Sequence, residues 1–233
     1  MMNPRMLSSA LLTCLSLGMA TSAQAAEPGW YLIGYGGEAS ASGLSQGQVD
    51  RNLESIFDSV GLDVVDATST LDDSDTGFGI GGGYQVNDHF AFEFGYVDLG
   101  SIDYRATGTV TDGVDQFAAE AVLGSSADGP VVSVLGILPI GERFSVYGRV
   151  GLSLLSAEGR AQITVDGDRE RASQSDQKTD PMFGIGVEYD LTKNFAIRLG
   201  WDRYLDVATE NVAGETDADL YSVGLRMGVG WFR

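Results

Sequence analysis

Apolar residues recur at every second position in segments of about ten residues along most of this chain, the period of a strand with one apolar face. In the stretch 221–231, Tyr221, Val223, Leu225, Met227, Val229 and Trp231 share one face, and Ser222, Gly224, Arg226, Gly228 and Gly230 share the other. Phe90, Phe92, Phe94 and Tyr96 oppose Ala91, Glu93 and Gly95, while Phe183, Ile185, Val187 and Tyr189 oppose Gly184, Gly186 and Glu188. Val146, Val150, Leu152 and Leu154 oppose Tyr147, Arg149 and Ser153. Phe195, Ile197, Leu199 and Trp201 oppose Arg198, Gly200 and Asp202, and Phe78, Ile80 and Tyr84 oppose a row of glycines. Segments 30–37 and 131–138 are apolar on both faces, so their orientation stays open. The pattern predicts eight strands, near 29–37, 76–86, 89–99, 129–139, 143–155, 181–191, 195–205 and 219–231.

Tight and long connections alternate between these segments. Residues 87–88, 141–142 and 192–194 are tight; about 38–75, 100–128, 156–180 and 206–218 are long. An antiparallel up-and-down sheet then has its tight turns at one end and its long loops at the other, the rhythm of an outer-membrane barrel. A soluble barrel would put the glycines on its surface and the aromatics in a narrow lumen; lipid outside and a packed lumen inside suit this pattern better. A secreted β-sandwich is the competing architecture. The expected fold is all-β, an eight-stranded antiparallel up-and-down transmembrane β-barrel, closed because hydrocarbon offers no partner to an open edge. Trp30, Tyr96, Tyr189, Trp201, Tyr221 and Trp231 fall near strand ends, where interfacial aromatic girdles sit.

Composition narrows the function. A net charge of −19 argues against a nucleic-acid partner, which needs a basic face. Arg5, the apolar stretch 7–20 and Ala23-Gln24-Ala25 form a signal-peptide pattern, with residues 1–25 removed and 26–233 left as the barrel domain. Cleavage takes Cys14, the only cysteine, and with it any disulfide, thiolate metal site or cysteine nucleophile. Asp72-Asp73-Ser74-Asp75 offers hard oxygens but lacks the spacing and glycine of a calcium loop, so no metal or cofactor is expected. His89, the only histidine, follows the shortest turn and so belongs at the periplasmic rim. A catalytic set acting on lipopolysaccharide needs the opposite face, so no enzyme is expected. Val49, Leu53, Ile56, Phe57 and Val60 have helical spacing and predict a short amphipathic helix over 48–61, lying on the barrel mouth. Most of the 33 acids fall in the four long connections, where they stay solvated.

The stretches Gly186-Val187-Glu188-Tyr189-Asp190-Leu191-Thr192 and Phe92-Glu93-Phe94-Gly95-Tyr96-Val97-Asp98-Leu99-Gly100 resemble the OmpA-like transmembrane domain family. Val146-Tyr147-Gly148-Arg149-Val150-Gly151 and the ending Asp219-Leu220-Tyr221-Ser222-Val223-Gly224 are similar to it as well. The resemblance implies a lumen closed by an ionic network, with Glu93, Arg149, Glu188 and Arg198 on its positions. A lysine expected in the fourth strand is replaced by Leu135, and Arg226 in the last strand supplies the missing cation. The implied role is structural: membrane integrity and surface interaction by a plugged barrel. The alternative is a narrow porin-like channel for ions or small solutes. Expected partners are outer-membrane lipid, lipopolysaccharide and the barrel assembly machinery, around a monomer. Many relatives carry a peptidoglycan-binding domain; with this chain ending at Arg233, none is expected here.

Overall fold

The computed structural model describes residues 28–207 and 216–229; the segment 1–25 expected to be a signal peptide, and Trp231, lie outside the described residues. In chain order the elements are β1 (Gly29–Ser42), α1 (Gln46–Ser59), β2 (Asp63–Asp72), β3 (Ser74–Asn87), β4 (Phe90–Thr111) and β5 (Gln116–Ile140), followed by β6 (Phe144–Val165), β7 (Asp168–Asp190), β8 (Phe195–Tyr204) and β9 (Asp217–Gly228). Strands β1, β3, β4, β5, β6, β7, β8 and β9 form a closed antiparallel ring. The hydrogen-bonded row that leaves Phe90 runs through Gly136, Gly148, Ile185, Trp201, Tyr221, Glu38 and Thr76. It returns to β4 about ten residues above its start, the stagger that tilts the strands of a closed barrel.

Alternation decides which way each side chain points. Phe92, Phe94, Ile80, Leu152, Ile185, Leu199, Val223 and Leu225 are exposed on the outer wall and meet lipid, while Ala91, Glu93, Leu135, Arg149 and Arg198 are buried inside. The two segments that sequence left open are now oriented. Tyr31 and Ile33 face inward with Trp30 and Leu32 outward, and Leu135, Ser133 and Val131 face inward with Val132 and Val134 outward.

Two expectations are corrected. The eight barrel strands are as expected, but the described residues hold a ninth: β2 lies within the first long connection and pairs with the outer half of β4, directly beyond β3 on the same side. The connections 100–128 and 156–180 are not loops but the outer halves of the hairpins β4–β5 and β6–β7, with turns only at 112–115 and at Asp166-Gly167. These strands run 22 to 25 residues, whereas a tilted strand crosses hydrocarbon in about 10. The excess raises a curved β-sheet about 30 Å above the membrane.

Helix α1 packs on the lumen-side face of that sheet. Val49, Leu53 and Phe57 are spaced by four and form one buried stripe, as the sequence predicts for this helix, while Ile56 and Val60 stay exposed. The stripe meets Tyr104, Ala106, Val110 and Ala121; burying three such side chains contributes about 2 kcal/mol each. Gly61, at φ +81°, ends the helix. Its N–H donates to the Asp58 carbonyl at 3.0 Å and the Leu62 N–H to the Phe57 carbonyl at 3.0 Å, a pair of bonds that needs a left-handed residue between them.

Candidate functional site

The lumen has two zones. Toward the tight turns, Tyr31, Ala91, Leu135 and Tyr147 pack together. Interleaved with them is an ionic layer to which β4, β6, β7, β8 and β9 each contribute charge: Leu135 pairs with Arg149, and Glu188 with Arg198 near the tight turn between β7 and β8. Arg198 Nη1 and Nε pair with Glu93 and Glu188 respectively. Arg149 Nε donates to Asp202 Oδ1 at 2.6 Å and its Nη1 lies 3.6 Å from Glu93 Oε2. Arg226 Nη2 lies 2.9 Å from Glu188 Oε1 and 3.2 Å from Asp190 Oδ1. The Tyr31 hydroxyl donates to Glu93 Oε1 at 2.8 Å. Arg198 stacks at 5.0 Å from the Tyr147 ring centre and 5.6 Å from that of Tyr31. Arginine suits this layer, because its delocalised cation desolvates more cheaply than an ammonium and stacks on aromatic faces. The second zone, toward the outside, is apolar: Val97, Leu99, Val131, Leu155, Met182 and Leu220.

The structure thus brings Glu93, Arg149, Glu188, Arg198 and Arg226 into one buried cluster. Asp202 and the tyrosines were missed as members. The signal for Asp202 was its position four residues beyond Arg198, on the same inward face. The inward glycines make room for these groups. A Cβ on Gly83 would lie 2.3 Å from the Tyr31 ring, one on Gly186 2.4 Å from the Tyr147 ring, and one on Gly184 2.0 Å from Asp202 Oδ1.

The aromatic candidates divide between the two rims. Trp30 packs edge-on to Tyr84 at 5.2 Å, near the tight-turn end, where Tyr189 pairs with Ile197. Toward the opposite rim stand Tyr96, whose hydroxyl donates to Asp128, the exposed Tyr221, and Trp201, whose Nε1 donates to Asp219 at 2.9 Å. His89 is exposed in the turn between β3 and β4. Asp75 is used structurally: its carboxylate accepts from the Ser101 N–H at 2.8 Å and the Thr76 N–H at 2.7 Å. This clamps a bulge in β4 where Gly100 takes φ +72°.

Outside the membrane, α1 and the sheet beneath it enclose a cavity of about 190 Å³. At one edge the Tyr104 hydroxyl donates to Asp50 Oδ1 at 2.5 Å. Burial, and then the hydrogen bond to Asp50, push this hydroxyl up to about 12, so it remains a donor at neutral pH.

The model of the OmpA-like transmembrane domain matches residues 28–231. Outer membrane protein A of Escherichia fergusonii is 30% identical over 162 residues, covering 69% of this chain and 42% of that protein. Its counterpart in Yersinia pseudotuberculosis is 30% identical over 144 residues, 61% of this chain and 37% of that protein. The chain spans about two fifths of the length of these curated relatives. Among solved structures, the outer membrane protein OprG from Pseudomonas aeruginosa aligns over 89% of this chain and 100% of its own, with a TM-score of 0.43 at 15% identity.

Proposed function

Since the chain belongs to the OmpA-like transmembrane domain family and forms a barrel of the Gram-negative outer membrane, we propose that it is a non-conducting anchor, not a pore or an enzyme. Its barrel holds the hairpin extension and α1 at the cell surface, where they meet lipopolysaccharide and other surface components. The observation that carries this reading is the filling of the lumen by paired charges and apolar side chains. Four acids, Glu93, Glu188, Asp190 and Asp202, pair with Arg149, Arg198 and Arg226, and an apolar plug closes the lumen on their outer side. An ion entering that path has to shed water against apolar walls and then displace a formed ion pair, each step costing several kcal/mol. Assembly machinery and lipid are its partners during insertion, and the monomer is its working state.

Single-channel recording of the refolded protein in a planar bilayer tests the reading. The expected trace stays at baseline. A steady open level in every insertion, abolished when the lumen is mutated, overturns it in favour of a narrow channel.

A further inference from the structure

We propose that the cavity under α1 is a binding site for a small organic cation with an apolar body, of the aryl- or alkylammonium class. The cavity opens to the cell exterior, beyond the lumen layers, and takes no part in the anchoring described above. Its lining is mainly apolar, from Leu53, Phe57, Val64, Ala106, Val110 and Ala121, with a few hydroxyls among them. Small residues on the sheet face a helix that carries large ones, and the gap they leave is about 190 Å³. That exceeds the roughly 150 Å³ of an apolar cavity that accepts a benzene ring.

The mouth is acidic and carries no compensating base. Asp50, Glu54 and Asp66 line it, and no lysine or arginine is among its lining residues. Asp50 and Glu54 stand four residues apart on α1, where like charges repel, and the last turn of the helix has no basic residue. The Tyr104 hydroxyl fixes Asp50 at 2.5 Å, so this carboxylate is held at the cavity edge before any ligand arrives. An ammonium placed there relieves the repulsion, and its hydrocarbon body fills the space below. An anion of the same shape meets three carboxylates, which excludes it. Charge complementarity therefore selects the cation.

The test uses the full mature chain refolded in lipid nanodiscs, with phenethylammonium as probe and phenylacetate as its anionic counterpart, followed by amide NMR shifts. The expected result is saturable shifts confined to α1, β2 and residues 104–121, at least tenfold weaker for phenylacetate. Glu54→Gln combined with Asp66→Asn weakens the phenethylammonium titration about fivefold or more. Ala121→Leu, which fills the floor, abolishes it. Non-saturating shifts spread along the lipid-facing strands, equal for both probes, overturn the proposal. So does an unchanged titration in the folded Ala121→Leu variant. Should that variant fail to fold, the exposed double substitution decides alone, since it leaves the packing intact.

Discussion

Replacing Arg198 with alanine removes the centre of the ionic layer. Arg198 pairs with Glu93 and Glu188 and stacks on Tyr31 and Tyr147, with its side chain 5% exposed. Stranding one partner of a buried pair costs about 3 to 5 kcal/mol. Here each stranded acid keeps a second cation: Arg149 at 3.6 Å from Glu93, and Arg226 at 2.9 Å from Glu188. The loss therefore falls at the low end, near 3 kcal/mol. With a urea slope of about 2 kcal/mol per molar, the unfolding midpoint drops by about 1.5 M. The assay is equilibrium urea unfolding of the refolded barrel in vesicles, followed by tryptophan fluorescence and by the shift in gel mobility between unboiled and boiled samples. The matched control is Arg160→Ala, which breaks an exposed pair with Glu158 at 3.0 Å and costs below about 1 kcal/mol. A midpoint for Arg198→Ala within about 0.3 M of the wild-type value, or a control that costs as much, refutes the claim that this layer holds the barrel together.

Three further substitutions probe the packing. Gly83→Ala drives a methyl group to 2.3 Å from the Tyr31 ring, which is pinned between Arg198 and Arg226; an overpacking cost of about 1 to 3 kcal/mol is expected. Gly136→Ala, whose Cβ meets nothing within 4 Å, is neutral or slightly stabilising in the same urea titration. Phe57→Ala removes the largest buried side chain of α1 and about 3 kcal/mol of its docking. Trypsin added to intact cells then cleaves at the exposed Arg51 faster than in wild type; equal rates mean that the helix does not depend on this contact.

The membrane halves of the strands were legible because lipid and lumen impose different residues on the two faces. Where the lumen is itself apolar, that contrast fades. Tyr31 and Ile33 on β1, and Val131 and Leu135 on β5, point inward, so both faces of those strands read alike. The helix was legible from its stripe and from Gly61, whose left-handed turn ends it. Within the site, charged residues on inward faces stood out, because a membrane strand tolerates charge only inside. The tyrosines did not, because an inward tyrosine and a girdle tyrosine differ by one position of register.

The hairpin extension was missed for a reason that lies in the backbone. On β4 the inward positions are Ala91, Glu93, Val97 and Leu99 below the bulge, and Tyr104, Ala106 and Val110 above it. The extra residue near Gly100 shifts the inward set from odd to even numbers, and a continuous strand then reads as an interruption. At the same height the outward neighbour changes from lipid to water, so Arg105, Thr107 and Thr109 follow Phe92, Phe94 and Tyr96 on the outer face. Alternation of bulky apolar residues reports the environment of a strand, not its hydrogen bonds. Beyond the membrane the ladder continues through Val110 paired with Phe117 and Val165 with Asp168, held by the same backbone pairing without the lipid-facing signal. The inner face of that extension is what stays apolar, and it stays so because α1 covers it. The helix therefore docks on an outward continuation of the barrel's own inner wall, which is why its position could be expected while the sheet beneath it could not.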